Sequence, residues 1–253
     1  MELIEQRDQL GLLTCQKDNM LKRAGLIALD SERLIVRAMR AGAVIEKIVC
    51  SPEFFEKHGN LFASISKEKV SLAPYSLLRE MTGFRIHGGV MALAIRPIDA
   101  PIKPEKPRIA VLNGCNNAEN IGAIVRNCLA FGFNTLIVDE YSCSPWLRRA
   151  LRVAMGSTFK IDIIHSDNII NDLSFLRANG HEIFAAEYAA HSLTVDQLSR
   201  TKNNLTLVLG HESEGISPEV SKLCDASVHI DMNPGIDSLN VAVASGILMH
   251  QMR

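Results

Sequence analysis

The sequence lacks the marks of several broad protein classes. It has almost no net charge, since 27 Lys and Arg stand against 28 Asp and Glu, and this balance excludes a protein that coats nucleic acid by charge alone. No apolar run reaches the roughly 18 residues that a membrane-spanning helix needs. The N-terminal residues are acidic and polar rather than basic and then apolar, which argues against a signal peptide. We therefore expect a cytoplasmic protein.

The six cysteines indicate neither a disulfide framework nor a metal site. They are scattered, with no C-x-x-C pair and no close Cys/His cluster, so free thiols in a reducing compartment and no bound metal are expected. A G-x-S-x-G elbow and a P-loop are also absent, which leaves an α/β hydrolase or a P-loop nucleotide enzyme without support. What is present is 47% hydrophobic and 22% charged residues, a composition typical of a globular protein with a core.

A proline-rich stretch divides the chain. Four prolines fall within residues 97–107, and so many fixed φ angles and missing N–H donors exclude a helix or a central strand there. We predict a small domain over 1–96, an extended linker over 97–107 and a larger domain over 108–253. Up to residue 106, Lys and Arg exceed Asp and Glu by 16 to 13, whereas the remainder has 11 against 15, an asymmetry too mild to decide a function.

Strands and helices alternate in the first domain. Short apolar runs predict three strands, at Ile27–Leu29, Ile45–Cys50 and Gly89–Ile95. Capping residues and first-turn prolines help to predict three helices, at Ser31–Ala41, Pro52–Ser64 and Tyr75–Met81. This alternation indicates a small α/β domain.

The alternation is stronger in the second domain. Five apolar runs predict strands at Ile109–Leu112, Thr135–Val138, Ile183–Ala186, Leu205–Leu209 and Ser227–Ile230. Such runs are typical of a mostly parallel sheet that is buried on both faces. Helical spacing predicts a helix over Asn120–Ala130 and a last helix in which one apolar face holds Leu239, Ala242, Val243, Gly246 and Ile247. The predicted fold class is therefore α/β, with helices layered on a mostly parallel sheet.

Three predicted strand ends are unusually polar and glycine-rich. They open the segments 113–126, 209–217 and 230–240. Ligands in open α/β sheets gather at the carboxyl ends of strands, so these segments form the candidate site. Asn, Gly and Ser are also the residues that ordinary turns need, and each segment taken alone fits a plain strand-to-helix loop.

Taken together, the three segments resemble the SpoU-type (TrmH-like) RNA 2′-O-ribose methyltransferases of the SPOUT superfamily. The resemblance covers 107–253 and rests on three ordered motifs: N-x-G-x-x-x-R at Asn120, Gly122 and Arg126, G-x-E-x-x-G at Gly210, Glu212 and Gly215, and S-L-N at Ser238, Leu239 and Asn240. Residues 1–96 resemble, more weakly, the small RNA-binding substrate domain that many of these enzymes carry. This resemblance rests on the segments Leu34–Ala38 and His87–Ala92.

The resemblance implies a trefoil-knotted catalytic domain, S-adenosylmethionine as the methyl donor, an RNA 2′-hydroxyl as the acceptor, and a homodimer. The catalytic residues it implies are Arg126, Asn120, Glu212, Ser238 and Asn240. The cofactor contacts expected from it are Leu209, Gly210, Glu212, Gly215, Ile230, Met232, Ser238 and Leu239. Candidate RNA contacts are Arg126, Arg148, Arg149 and Arg152. For the last three, a solvent-exposed basic helix face is an equal alternative.

Arg126 is expected to act through its charge. A guanidinium stays protonated below about pH 12, so it is poorly suited to take the proton of a 2′-hydroxyl. Positioning a phosphate and stabilising a developing alkoxide is easier to defend. An acidic residue followed by a G-x-G-x-G turn, the mark of Rossmann methyltransferases, is absent, and this absence favours the knotted class.

Two positions depart from the family pattern. Ser213 stands where glycine is common, and Asp231 stands where proline is common. Neither change falls on the expected catalytic residues, so we predict an active enzyme that methylates structured RNA, with ribosomal RNA favoured over transfer RNA. The alternative is a catalytically inactive RNA-binding paralogue of the same fold, which an assay of methyl transfer to bulk RNA would distinguish.

Overall fold

The computed structural model of the chain describes residues 2–6, 11–13, 18–82, 89–189, 191–197, 204–236 and 238–253. Cys15, and the His87 and Gly88 of the weaker resemblance, lie outside these residues. The chain forms two compact units: Met1–Ile98 with Trp146–Phe159, and Asp99–Pro145 with Lys160–Arg253. Within the described residues, every helix is too short or too polar to cross a membrane.

Strands and helices are numbered in chain order. The strands are β1 (Glu2–Leu3), β2 (Leu26–Leu29), β3 (Ile45–Cys50), β4 (Val70–Leu72), β5 (Val90–Ile95), β6 (Arg108–Asn113), β7 (Thr135–Val138), β8 (Asp162–His165), β9 (Glu182–Ala186), β10 (Leu193–Thr194), β11 (Leu205–Gly210) and β12 (Ala226–His229). The helices are α1 (Asp18–Arg23), α2 (Glu32–Arg40), α3 (Pro52–Lys57), α4 (Tyr75–Thr82), α5 (Ala118–Phe131), α6 (Arg148–Ala154), α7 (Ile169–Ala178), α8 (Pro218–Ser221) and α9 (Val241–Gln251).

The first unit is built on a five-stranded mixed sheet with the order β1-β4-β3-β5-β2. Strands β1, β4 and β3 are parallel, and β5 runs antiparallel to both of its neighbours. Helix α2 begins at Ser31 as predicted, because the Ser31 hydroxyl accepts a hydrogen bond from Leu34 N and so caps the helix. The predicted helix Pro52–Ser64 was too long. It ends at Lys57, because His58 leaves the helical conformation, and a separate 3-10 helix follows at Gly59–Phe62.

The second unit is built on a seven-stranded sheet with the order β10-β12-β9-β11-β6-β7-β8. All pairs among its described strands are parallel, which confirms the predicted α/β class. The five predicted strands are all present, each within one residue of its predicted bounds. Strand β6 pairs with β11 in a register that sets Asn113 beside Gly210. The loops that leave these two strands therefore start side by side at one edge of the sheet.

Helix α6 packs within the first unit, although it follows β7 of the second unit in the sequence. The guanidinium of Arg148 is buried there and donates from Nε to Oδ2 of Asp30 at 2.6 Å. Its backbone N donates to Oδ1 of Asp18 at 3.3 Å. Burial raises the pKa of Asp18, although the backbone hydrogen bond from Arg148 and the charge of that residue act in the opposite direction. Arg148 therefore anchors the returning segment.

Helices α5 and α9 pack against each other in the second unit. The amide of Asn127 on α5 donates to Ala242 O and Ser245 Oγ on α9, both at 2.9 Å. The predicted apolar face of α9 was wrong in part, because Val243 is 52% and Ile247 36% exposed. The residues that α9 buries are Val241, Ser245, Leu248 and Met249. The helix is apolar nearly all round, so spacing alone cannot choose the buried face.

Candidate active site

The first and second motif loops are joined directly where β6 and β11 end. The side-chain oxygen of Asn113, the last residue of β6, accepts a hydrogen bond from Ser217 N at 2.7 Å. The thiol of Cys115 donates to the carbonyl oxygens of Leu209 and Gly210, at 3.5 and 3.2 Å. These contacts hold the two loops together beneath the candidate site.

A chain of hydrogen bonds links one residue of each motif. Asn120 donates from Nδ2 to Oε1 of Glu212. Its Oδ1 accepts from Nδ2 of Asn240 at 3.0 Å. The amide of Asn120 is only 9% exposed, and its donor and acceptor ends are both used, so its orientation is fixed. The geometry therefore joins three segments that are about 90 and 30 residues apart in the sequence.

Helix caps place the two asparagines of this chain. Asn117 caps α5 by accepting hydrogen bonds from Glu119 N at 2.9 Å and Asn120 N at 3.3 Å, so Asn120 lies in the first turn, next to the loop. Asn240 caps α9 by accepting from Ala242 N at 2.9 Å. Asparagine is one of the preferred capping residues because its side-chain oxygen satisfies a free N–H at the helix start. In both cases the helix cap also positions an asparagine of the hydrogen-bond chain.

The second motif loop needs its two glycines for different reasons. His211 and Gly215 pair through two backbone hydrogen bonds of 2.9 and 3.0 Å, which closes a tight loop. This closure presses Gly215 so close to Gly210 that a Cβ on Gly210 would lie 2.4 Å from the Gly215 carbonyl carbon. Gly215 itself has a φ of +72°, a conformation that favours glycine. The closed loop thus requires glycine at both ends of the G-x-E-x-x-G motif.

Gly210→Ala is expected to open this loop. The added methyl group collides with backbone atoms that cannot move aside as a flexible side chain could, so we expect a loss of about 2–3 kcal/mol in the free energy of unfolding. Glu212 is also expected to move away from Asn120. The measurement is chemical denaturation of the variant beside Gly59→Ala, because a Cβ on Gly59 meets open space. Equal stability of the two variants would contradict this account of the loop.

Asp139 is a structural residue of the site that the motifs did not reveal. It follows β7 directly, is 2% exposed and accepts hydrogen bonds from Asn113 Nδ2, from Gly114 N and from Ser142 N, at 2.9–3.1 Å. These donors compensate the buried carboxylate. Its position after a buried parallel strand was the available signal, since that edge of the sheet is where sites gather.

The third motif loop has the properties that a cofactor held by main-chain contacts requires. Apart from the Asn233 carbonyl, which accepts from Ile236 N at 3.4 Å, the backbone of residues 231–235 forms no hydrogen bond with the described part of the chain. Met232 is 37% and Ile236 57% exposed. Free N–H and C=O groups beside apolar side chains can bind the polar edge and the flat faces of an adenine ring.

The electrostatics of the site are dominated by carboxylates. Burial raises the pKa of Cys115 to about 12, and the nearby charges of Glu212 and Asp139 act in the same direction. The thiol is therefore neutral at physiological pH and is unsuited to be a nucleophile. A cationic ligand suits this region better than an anionic one.

The structure brings together only some of the residues that the sequence assigned to the site. Asn120, Glu212 and Asn240 are joined by hydrogen bonds, whereas Ser238 is exposed in the adjoining loop. Arg126 is also exposed, more than one turn along α5 from Asn120, and its side chain forms no hydrogen bond or ion pair with the described residues.

The remaining predicted contact residues differ in how exposed they are. Among the predicted cofactor contacts, Leu209 and Gly210 are buried at the end of β11, and Ile230 and Leu239 are half-buried. Gly215 and Met232 are exposed. Among the predicted RNA contacts, Arg149 and Arg152 are exposed on α6. The burial of Arg148 against Asp30 argues against a phosphate contact for that residue.

Known proteins are similar to this chain in sequence. An "uncharacterized tRNA/rRNA methyltransferase" from Mycobacterium bovis is 27% identical over 189 residues, which are 71% of this chain and 66% of that protein, so this chain spans just under two thirds of its length. The 23S rRNA (guanosine-2′-O-)-methyltransferase RlmB from Acinetobacter baylyi is 26% identical over 89% of this chain and 91% of that protein.

The chain is also similar to a solved structure and to a family model. The structure of AdoMet-bound rRNA methyltransferase from Sinorhizobium meliloti covers 99% of this chain and 97% of that chain with a TM-score of 0.85 and 21% identity, a likeness that shows the fold. The family model of the SpoU rRNA Methylase family matches residues 107–250, more than half of the chain, and these residues hold all three motifs. On this evidence, the chain belongs to the SpoU rRNA Methylase family.

Proposed function

We propose that the protein transfers the methyl group of S-adenosylmethionine to the 2′-hydroxyl of a ribose in structured RNA, with ribosomal RNA preferred over transfer RNA. The observation that carries the proposal is the hydrogen-bond chain Glu212–Asn120–Asn240, which unites the three motifs at one edge of the sheet. The RlmB relative, whose name specifies 2′-O-methylation of 23S rRNA, supports the choice of ribosomal RNA.

The second and third motif loops are proposed to hold the cofactor. Gly210 and the backbone of 231–235 offer main-chain contacts, and the exposed side chain of Met232 offers an apolar surface. The carboxylate of Glu212 contributes negative charge, which suits a cationic methyl donor. When bound, S-adenosylmethionine supplies an activated methyl group on a sulfonium centre. The AdoMet bound to the Sinorhizobium meliloti relative supports this choice of cofactor.

Arg126 is proposed to act on the acceptor. Its exposed guanidinium is free to meet a phosphate of an incoming RNA, because it forms no ion pair within the described chain. A fixed positive charge next to the ribose stabilises the 2′-oxygen as it loses its proton. We do not assign the removal of that proton to Arg126, since a guanidinium group has N–H donors and no acceptor. Asn120, Asn240 and Ser238 are proposed to orient the ribose and the loops around it.

The first unit is proposed to select the RNA, in keeping with the predicted substrate-binding role of residues 1–96. Helix α6 packs with that unit and presents Arg149 and Arg152 at the surface. Folded RNA is recognised largely through shape, phosphates and unpaired bases, and arginine forms paired hydrogen bonds with phosphate oxygens. The near-zero net charge of the chain makes such local contacts more important than long-range attraction.

A homodimer is proposed from the surface of α9. Val243 and Ile247 lie one turn apart on this helix and are both partly exposed, and an apolar pair at this spacing forms one face that a second copy of the chain can cover. The trefoil knot stays a prediction from the family resemblance. We also infer a cytoplasmic location, where the RNA substrate and reduced thiols are found together.

Calorimetric titration with S-adenosylhomocysteine tests the cofactor assignment. The expected result is a single binding site for S-adenosylhomocysteine on the folded protein. In a separate assay with methyl-labelled S-adenosylmethionine, the label is expected to be transferred to ribosomal RNA. Absence of binding at about millimolar ligand, which corresponds to less than about 4 kcal/mol of binding free energy, would contradict the proposal. Binding of ligand and RNA without methyl transfer would favour the inactive paralogue instead.

A further inference from the structure

We propose that His211 is a positioning residue, whose neutral imidazole fixes the second motif loop and so sets the affinity for the cofactor. The inference rests on the proposed function. Backbone N–H groups of Ser213 and Glu214 both point at Nδ1 of His211, at 3.1 and 3.2 Å. A ring nitrogen that faces two N–H donors must be an acceptor, so the ring is neutral and its single proton lies on Nε2.

The same ring packs on the first motif loop. Nε2 lies 3.1 Å from Nδ2 of the Asn116 side-chain amide. With a proton on Nε2, a half-turn of this amide gives the ring an oxygen acceptor. A Cβ on Gly114 would lie 3.5 Å from the Cβ of His211, so the side chain of His211 starts in contact with this loop. His211 therefore contacts both loops from which Asn120 and Glu212 emerge.

The position of His211 in the chain explains its effect on the site. Glu212 lies between His211 and Ser213, whose N–H group is held by the ring. Turning the Ser213 and Glu214 N–H groups inward fixes the backbone that follows Glu212, while the backbone pair of His211 with Gly215 holds the residue that precedes it. The carboxylate of Glu212 is then positioned to accept the hydrogen bond from Asn120. Without an acceptor at this place, both N–H groups must turn to water and the loop loses this restraint.

Protonation removes the restraint in the same way as a mutation. It replaces the acceptor at Nδ1 with a donor that faces two other donors. Histidine is the side chain that ordinarily titrates between about pH 5 and 8, whereas carboxylates and thiols ordinarily titrate outside that range. The other titratable groups on the segments around the ring are Glu212, Glu214, Cys115, Glu119, Asp139 and Cys143.

Two substitutions of His211 separate the effect of the hydrogen-bond acceptor from the effect of the positive charge that protonation adds. In His211→Asn, the amide oxygen takes about the place of Nδ1 and can accept both N–H groups, but it does not titrate. In His211→Ala the acceptor is lost. Binding of S-adenosylhomocysteine is measured by calorimetry for both variants and the unchanged protein between about pH 7.5 and pH 5.5, with thermal unfolding as the check on folding.

The expected affinities follow from the two hydrogen bonds. Each contributes a factor of about five, so His211→Ala is expected to bind about 25-fold more weakly at neutral pH, and His211→Asn within about threefold of the unchanged protein. On acidification, the unchanged protein is expected to lose at least about fivefold in affinity relative to His211→Asn. This ratio cancels the titration of groups that both proteins share.

The outcomes distinguish this inference from the proposed function. If the unchanged, folded protein binds no S-adenosylhomocysteine at any pH, the proposed function fails. If it binds, and His211→Ala binds equally with the same pH profile, the role of His211 is overturned while the function stands. Binding by His211→Asn as weak as that of His211→Ala would also overturn it, because the restored acceptor would then have no effect.

Discussion

Arg126→Ala is expected to reduce methyl transfer by a factor of about 10²–10³, the loss seen when one preorganised donor to a developing oxyanion is removed. Binding of S-adenosylhomocysteine and the melting temperature are expected to stay unchanged, because the side chain is exposed and unpaired within the described chain. Arg126→Lys is expected to restore little, since an ammonium cannot reproduce a planar fork of donors. The measurement is single-turnover methyl transfer with saturating RNA and cofactor.

Arg177→Ala is the matched control for this variant. Arg177 is also an exposed arginine on a helix of the same unit, and its side chain forms a surface ion pair with Asp225 at 2.7 Å, a contact of small energetic value. Its loss is expected to leave methyl transfer unchanged. Near-normal turnover by Arg126→Ala would show that Arg126 is only a surface charge and would overturn its proposed role at the acceptor.

Asn120→Asp is expected to break the hydrogen-bond chain at its centre. The change is nearly isosteric, but it places a carboxylate against that of Glu212 where an N–H donor stood. We expect methyl transfer to fall about 100-fold, since the site loses its fixed geometry. The free energy of unfolding is expected to fall by about 2 kcal/mol at neutral pH, which lowers the melting temperature by about 4–8 °C.

The pH dependence of this destabilisation has a definite sign. Two adjacent carboxylates share a proton, so the pKa of the pair is raised in the folded state above its unfolded value. The repulsion therefore persists at neutral pH and disappears as the pH falls toward about 5, where the pair holds its proton. The measurement is the melting temperature of the variant and the unchanged protein across this range. A difference that does not shrink on acidification would exclude charge repulsion as the cause.

A second substitution exchanges the donor and the acceptor of the contact between residues 120 and 212, and it is expected to rescue the Asn120→Asp variant. Adding Glu212→Gln to Asn120→Asp supplies an amide donor to the new carboxylate, so stability at neutral pH and part of the methyl transfer are expected to return. Asn134→Asp, at an exposed position of the same unit, is the control for adding one negative charge. If the double variant is as unstable as Asn120→Asp alone, the contact between these two residues does not hold the loops together.

The meeting of the three motif loops could be predicted from the sequence because parallel strands present their carboxyl ends at one edge of a sheet. Apolar runs located the strands that end at Asn113 and Gly210, and the family motifs marked the residues after them. The hydrogen bonds of Asn120 with Glu212 and Asn240 could not be predicted in this way. They depend on the direction of side chains, which the helix caps at Asn117 and Asn240 determine.

No comparable pattern in the sequence predicts that Trp146–Phe159 packs with the first unit. The contact that anchors it joins Arg148 and Asp30, which are 118 residues apart, and the arginines of α6 have the same local pattern whether they are buried or exposed. The exposed face of α9 was missed for a related reason. Val243 and Ile247 have the helical spacing of core residues, and in a helix that is apolar nearly all round this spacing does not show which face is buried.

Mapping of 2′-O-methylated ribose in ribosomal RNA tests the central claim most directly. RNA is compared from cells that contain the protein, cells that lack it, and cells in which it is replaced by the Arg126→Ala variant. We expect one 2′-O-methyl group in ribosomal RNA that is lost without the protein, returns with the unchanged chain and does not return with the variant. Identical methylation in all three RNAs would contradict the account.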